Sequence, residues 1–448
     1  MSGIFGAATR TDKAQDFAYF ALFALQHRGQ IGCGMAANKN GYIDYHKQMG
    51  DVSHAFSKRE LKKLASNLVL AQIDNSQTHV DEETLGPVLV GNKTTSFAIA
   101  FDGAILNRDE LCERHHVDGD CTDGELLGRL IAKKQMEDLV QAVSQVVVEL
   151  KGAYAFILLT HDVLIGMRDP FGVKMLSVGR MDEGYMVSSE SCAFESLGAE
   201  VLGEVEPGSM VILSSSHAAY LQVLPRKKTS TCLFEIIYTS RPDSTIQDNS
   251  VYAMRKMMGR KLAEVSPAPE ADMVISSPDS GTVAAMGYAE QSGQPYDIGI
   301  IKNRYIGRTF IEPDKDRRDM AVQIKLNVIR DTVEGKSLVL VDDSIVRGTT
   351  MRRVVSMLKE AGAKAVHVRI ASPLVQYPCK IRVNPSIQKD LLADKLDREG
   401  IREMVGADSL AFLDVEDLLD SIPAADTFCT GCMTAHYPIL EDENGTEL

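Results

Sequence analysis

The segment Leu338-Val339-Leu340-Val341-Asp342-Asp343-Ser344-Ile345-Val346-Arg347-Gly348-Thr349-Thr350 concentrates more chemistry than any other stretch of this chain. An apolar strand runs into two acids, then a loop of small residues around Arg347, then a helix. Backbone amides gathered at a helix N-terminus form a cradle for an anion. Gly348 lets the backbone approach that anion closely, and Ser344, Thr349 and Thr350 add hydroxyl donors, which suits the 5-phosphate of a ribose. Asp342 and Asp343 fall at the C-terminal end of the strand, where carboxylates accept hydrogen bonds from ribose hydroxyls or hold Mg²⁺ through water. The bland alternative is a strand, a loop and a helix with two surface acids.

Three further groups could do chemistry. Lys302-Asn303-Arg304-Tyr305-Ile306-Gly307-Arg308-Thr309-Phe310-Ile311 joins three cations for a pyrophosphate to a flexible Gly307 and to bulky Tyr305 and Phe310, which exclude water on closure. A basic surface loop would account for those charges but not for their order. Cys429-Thr430-Gly431-Cys432 is a thiol pair of the kind that serves zinc, redox or cluster sites alike. Ser2 follows the initiator methionine; removal of Met1 would give it a free α-amino group, of pKa about 8, able to act as a base toward the hydroxyl.

The elements that must position these groups differ between the two halves. Helical periodicity over 13–25 and 123–134, with apolar strands at 153–159 and 163–167, predicts an α+β first half. Around 224–230 the chain turns basic and polar, with Arg226, Lys227 and Lys228. Beyond it, apolar strands at 273–275, 298–301, 338–341 and 365–371 alternate with helical stretches such as 281–290 and 349–360, which predicts a parallel α/β sheet.

The chain has 448 residues, 44% of them hydrophobic and 25% charged, a globular composition long enough for two or three cores. Lys and Arg total 48 against 62 for Asp and Glu, and the net charge of −14 argues against nucleic acid as a partner. Neither a basic-then-apolar start nor an apolar run of about 18 residues is present, so the expectation is a soluble cytoplasmic protein without a membrane partner. Eight cysteines in such a chain suit reduced thiols, a metal site or a catalytic thiol better than disulfides.

The 338–350 string resembles the signature of type I phosphoribosyltransferases. Pro278-Asp279-Ser280-Gly281, the 302–311 segment and Phe234-Glu235-Ile236-Ile237-Tyr238-Thr239-Ser240-Arg241-Pro242-Asp243 narrow the resemblance to the glutamine phosphoribosylpyrophosphate amidotransferases, over nearly the whole chain. This implies an α+β N-terminal-nucleophile (Ntn) amidotransferase-like sandwich over 1–230, followed by an α/β type I phosphoribosyltransferase domain over 231–448. It also implies phosphoribosylpyrophosphate with Mg²⁺ as ligand and Ser280, Asp342 and Asp343 around the metal. Lys302, Arg304, Tyr305, Arg308, Ser344, Arg347, Gly348, Thr349 and Thr350 would contact the substrate, with the Lys302 segment as a lid. Phosphoribosylamine for purine synthesis would be the product, nucleotides the effectors, and a homodimer or homotetramer the assembly.

The iron-sulfur branch of that family has four cluster cysteines, which match Cys232, Cys379, Cys429 and Cys432. A 4Fe-4S cluster there would tie the C-terminal segment to the domain junction. Zinc is the alternative, since four thiolates also make a closed tetrahedral site.

The same resemblance assigns a glutaminase to the first half, and there this chain departs from the pattern. Met1-Ser2-Gly3-Ile4-Phe5-Gly6 has serine where the family has its nucleophilic cysteine. The family's His-Thr-Arg-Tyr-Ser-Thr, whose arginine clamps the substrate carboxylate, reads Gln72-Ile73-Asp74-Asn75-Ser76-Gln77, so the clamp becomes Asp74. The oxyanion segment His-Asn-Gly reads Phe101-Asp102-Gly103, replacing an amide donor, whose loss alone costs about 10²- to 10³-fold. Asp123 still matches the acid that holds the substrate amine.

Nucleophile, clamp and oxyanion donor are thus altered together, and the reading is a folded but inactive glutaminase beside an intact transferase that uses ammonia or an ammonia donor. Two alternatives stand beside it: a non-catalytic paralog regulating an authentic amidotransferase, and a glutamine-dependent enzyme using Ser2.

Overall fold

The computed structural model describes residues 2–75, 82–91, 96–134, 138–303, 326–382 and 391–441. The first half is a sandwich of two antiparallel sheets. One sheet has the order β11-β9-β10-β1-β4-β2-β3, made of β1 (Gly3–Thr9), β2 (Gly32–Lys39), β3 (Tyr42–Met49), β4 (Leu68–Asp74), β9 (Ser177–Met181), β10 (Gly184–Ser188) and β11 (Glu200–Glu204). The other has the order β13-β12-β8-β7-β6-β5, made of β5 (Val88–Gly91), β6 (Ser96–Ile105), β7 (Gly152–Leu159), β8 (Leu164–Arg168), β12 (Ser209–Leu213) and β13 (Ala218–Gln222).

The inner faces meet over small side chains: Ala8 and Ala36 from one sheet, and Ala98, Ala100 and Ala155 from the other, all within a layer that also holds Ile4, Leu70 and Ile157. Each outer face is covered by helices. Ala14–Ala24 packs on the first sheet, and Asp123–Lys133 with Leu139–Val147 on the second. The helix at Asp123 begins with a capping box in which the Thr122 hydroxyl accepts from the Glu125 N–H and the Glu125 carboxylate accepts from the Thr122 N–H.

In the second half β14 (Thr231–Cys232) opens the segment and β15 (Thr245–Ile246) and β16 (Asn249–Ser250) form a small hairpin. The sheet proper is parallel, in the order β17 (Met273–Ser276), β20 (Ser337–Asp342), β21 (Ala365–Ile370), β22 (Ser409–Phe412). Its strands are nearly continuous apolar runs because both faces are covered, by the helices Val251–Val265 and Thr282–Ser292 on one side and Thr349–Glu360 on the other.

One expectation is corrected. The apolar run at 298–301 does not enter the parallel sheet: its strand, β18 (Ile300–Lys302), pairs antiparallel with β19 (Leu326–Val328) in a separate ribbon. Ile298 and Ile301 are more than half or half exposed there, at 55% and 50%, so this run is not a core strand. The fourth strand of the sheet is instead β22, a short segment ending on Phe412. Finally, β23 (Phe428–Cys429) returns to pair parallel with β14.

Candidate active site

Strand β20 is buried throughout and carries Asp342 and Asp343 to its C-terminal end, where they are only 8% and 5% exposed. The Asp343 N–H donates to Asp342 Oδ1 at 2.9 Å, and the Ser344 hydroxyl donates to Asp343 Oδ2 at 2.6 Å. Burial, and then the adjoining Asp343 carboxylate, push the Asp342 carboxyl well above the usual carboxylate range. Two acids so placed share either a proton or a cation. A divalent cation fits this donor set and would return Asp342 to the carboxylate form.

The chain next enters a loop in which Gly348 takes φ +71°, a left-handed conformation that glycine adopts without strain. Gly348 is also the N-cap of the helix Thr349–Glu360 and offers no side chain to it, so the first amides of that helix stay available to an anion. Asp342, the loop from Ser344 to Met351 and the rings of Phe234 and Tyr238 line an open cavity of about 380 Å³. Both rings fall in the 234–243 string that carries the family resemblance, but neither bears a charge, and nothing in that string marked them as cavity residues.

The turn bearing Ser280 lies against the end of β20 at Asp342. A Cβ on the next residue, Gly281, would sit 2.8 Å from the Asp342 Cα and 2.7 Å from the Val341 carbonyl, so only glycine lets the turn come so near the acid pair. Lys302 Nζ is ion-paired with Asp279 Oδ2 of that turn at 2.7 Å. Arg304, Tyr305 and Arg308 lie outside the described residues.

In the first half, β1, β4 and β6 bring Ser2, Asp74 and Asp102 together. The Ser2 hydroxyl donates to Asp74 Oδ1 at 3.1 Å, the Gln72 amide donates to the same oxygen, and the Gly86 N–H donates to Asp74 Oδ2 at 2.7 Å. Asp74 is 7% exposed; burial raises its carboxyl, against the pull of these donors. A Cβ on Gly86 would fall 2.2 Å from the Gln72 side chain, so that side chain fills the space beside Asp74.

Asp102 Oδ1 accepts from the Ser2 N–H at 2.8 Å, and its Oδ2 lies 2.8 Å from Lys174 Nζ and 3.5 Å from Arg28 Nη2. Burial alone would raise this carboxyl, but Lys174 and then Arg28 hold it below the usual range, so it is an anion. Gly103, at φ +138°, would place a Cβ 2.1 Å from the Ala153 carbonyl, so strand packing by itself demands glycine there. Both oxygens of Asp123 have partners within the chain: Oδ1 takes Arg108 Nη1 at 2.7 Å and Oδ2 the Ile105 N–H at 2.9 Å.

Around Asp102 lies a buried ion network that the sequence did not announce. Arg28, 1% exposed, donates to Glu190 Oε2 at 2.7 Å and pairs with Glu235 at 3.1 Å, while Lys174 pairs with Glu235 at 2.7 Å. His27 Nε2 lies 2.8 Å from Glu190 Oε2. Arg28 was visible in Gln26-His27-Arg28-Gly29 and Glu235 in Phe234-Glu235, but nothing local marks them as partners.

The four cysteines converge at the junction. Cys232 and Cys429 are register partners of β14 and β23; the Gln376 and Tyr377 N–H groups donate to the Cys432 carbonyl at 2.9 and 3.0 Å, bringing the loop of Cys379 alongside. All four are 7–9% exposed, and no cysteine of the chain is in a disulfide. Burial, then Glu235 and the other three cysteines, drive the Cys232 thiol well up, and burial pushes Cys429 to about 11. Among the described residues no three cysteine, histidine or acidic side chains are grouped closely enough to hold a single metal ion.

A sandwich that sets Ser2 beside the buried Asp74 and Asp102, followed by a parallel sheet with an anion-binding loop, defines a class: an amidotransferase domain joined to a phosphoribosyltransferase. Family models agree, with a glutamine amidotransferase domain matching residues 76–196 and a phosphoribosyl transferase domain matching 245–380. The amidophosphoribosyltransferase of Archaeoglobus fulgidus is 41% identical over 436 residues, covering 95% of each chain. The solved glutamine phosphoribosylpyrophosphate amidotransferase of Bacillus subtilis, complexed with ADP and GMP, superposes with a TM-score of 0.90 at 39% identity, covering 97% of each chain. A second structure, described as the allosteric regulatory enzyme of purine biosynthesis, gives 0.90 at 38% identity, covering 97% of this chain and 96% of its own. The chain belongs to the amidophosphoribosyltransferase family.

Proposed function

We propose that this member of the family forms 5-phosphoribosylamine and pyrophosphate from phosphoribosylpyrophosphate using ammonia, with its glutaminase half inactive. The observation that carries the reading is the pairing of Ser2 with Asp74 and Asp102. Where the resemblance calls for a cation toward a substrate carboxylate, the chain has a buried acid already bonded to Ser2, Gln72 and Gly86. Where it calls for an amide donor, the chain has an anion that would repel a developing oxyanion.

In the transferase half, the loop amides from Gly348 onward and the hydroxyls of Ser344, Thr349 and Thr350 hold the 5-phosphate. Asp342 and Asp343 face the ribose, and with Ser280 they would hold Mg²⁺, which supplies charge neutralisation for the pyrophosphate. Phe234 and Tyr238 form one side of the cavity. The ammonia nitrogen bonds to the anomeric carbon as the bond to the pyrophosphate oxygen breaks, and the surplus proton passes to solvent. We extend to this chain the nucleotide binding of its Bacillus subtilis relative and a dimeric or tetrameric assembly, and we divide its domains at residue 230.

The test compares pyrophosphate release with ammonia and with glutamine. Turnover with ammonia is expected, none with glutamine, and Ser2→Ala should leave the ammonia rate within about twofold of the natural chain. Glutamine turnover abolished by Ser2→Ala would overturn the reading, and silence with both donors would favour a regulatory paralog.

For the cysteines we propose a 4Fe-4S cluster, because the four thiols that match the family's cluster positions are brought to the junction from three segments. A cluster with a structural role predicts visible absorbance in anaerobically purified protein, lost in Cys429→Ser together with stability of the 428–441 segment, read by hydrogen exchange. Stoichiometric zinc without absorbance would replace the cluster by zinc.

A further inference from the structure

We propose that the ion network of the altered half positions the wall of the phosphoribosyl cavity, making Asp102, Lys174 and Arg28 positioning residues for phosphoribosylpyrophosphate binding. The link is the turn that follows β14. Phe234 and Tyr238 line the cavity with their ring centroids 5.8 Å apart, and Glu235 lies between them in sequence with its carboxylate turned into the first half. Glu235 is 3% exposed and is held by Lys174 at 2.7 Å and Arg28 at 3.1 Å.

The other end of the turn is held within the second half: Arg255 donates to the Ile236 carbonyl at 2.7 Å and to the Ser240 carbonyl at 2.8 Å. The turn is therefore clamped at its carbonyls from one side and at a carboxylate from the other. Asp102 completes the clamp. Lys174 and Arg28 are both at most 1% exposed, and Asp102 is the anion, 2.8 Å from Lys174, that lets the lysine remain charged there. The residue that removes the oxyanion donor thus acquires a role in the other active site, and packing of Val173 and Met175 against Leu233 and Phe234 carries it across the junction.

This inference rests on the proposed function only in treating Asp102 as a network anion, so its test uses substrate binding and not the nitrogen source. Asp102→Asn, Lys174→Met and Lys174→Arg are prepared in the full chain, and phosphoribosylpyrophosphate binding with Mg²⁺ is measured by calorimetry beside KM and kcat with ammonia. Asp102→Asn and Lys174→Met are expected to raise Kd and KM about three- to tenfold, with kcat within about twofold. Lys174→Arg, which keeps the cation, should restore binding. Leu22→Ala, in the core beneath the helix Ala14–Ala24, should lower Tm at least as far and leave Kd unchanged. Wild-type Kd in both Asp102→Asn and Lys174→Met, or equal weakening in Leu22→Ala, overturns the proposal. A chain that binds phosphoribosylpyrophosphate but ignores ammonia refutes the proposed reaction while Kd still decides this point. A chain that binds none overturns both.

Discussion

Replacing Asp343 by asparagine is expected to lower ammonia-dependent pyrophosphate release by about 10²- to 10³-fold while leaving the fold intact. The asparagine is isosteric and keeps an oxygen for the Ser344 hydroxyl, so what disappears is one negative charge at a site only 5% exposed. That charge would attract Mg²⁺ and orient the ribose, and among the described residues Asp342 is the one acid that lines the cavity. Asp342→Asn should lose activity in the same range but gain stability. The sign follows from the raised carboxyl of Asp342. A carboxyl whose folded pKa lies above its unfolded value of about 3.9 favours the folded state at low pH, and that stability is lost as pH rises through the folded value. Asparagine removes the penalty, so Tm at pH 7 without Mg²⁺ should rise and its pH dependence flatten. Activity near wild type in Asp343→Asn would mean that the acid pair is not the substrate site.

The second large effect is on stability. Arg28→Met is expected to cost about 3–5 kcal/mol at neutral pH, because it leaves Glu190, Glu235 and Asp102 buried with too few cations. Burial alone would raise each of these carboxyls. In the intact network His27 and Arg28 pull Glu190 well down, Arg28 and Lys174 pull Glu235 down, and Lys174 and Arg28 do so for Asp102. Groups with depressed folded pKa values contribute stability that is present above the unfolded pKa, about 4, and lost as pH falls through the folded one. The deficit of Arg28→Met in urea titrations should therefore be largest near pH 7 and shrink below about pH 4, where the carboxylates protonate in either protein. A uniform deficit across that range would show that Arg28 acts through packing alone.

The two predictions also mark what the sequence could reveal. The transferase loop was readable because its parts are contiguous: strand, acids, glycine and helix follow one another over 338–350, and the helix at Thr349 ends at Glu360 as its periodicity predicts. The departures from the family motif at Asp74 and Asp102 were readable by comparison with it, since each stands in a short string. The ion network was not. Arg28 and Glu235 stand 207 positions apart, and an arginine's identity does not say which carboxylate it will meet. The run at 298–301 misled because apolar content was read as burial, whereas its strand sits in a two-stranded ribbon with exposed isoleucines.

The alanine seam of the sandwich bears on how such a half can change through time. On the function proposed above, in which this half no longer handles glutamine, the chain can drift at Ser2 without harm, because loss of that hydroxyl leaves the interior as it was. Ala98, Ala100 and Ala155 have no such freedom, since each sits where an added methyl group must push one sheet off the other. Any such displacement would travel through Lys174 to Glu235 and reach the cavity of the working half. Under selection for purine prototrophy, a mutational library should therefore be permissive at Ser2 and strict along the seam, and strictness at Ser2 equal to that of the seam would contradict the proposed loss of glutaminase activity.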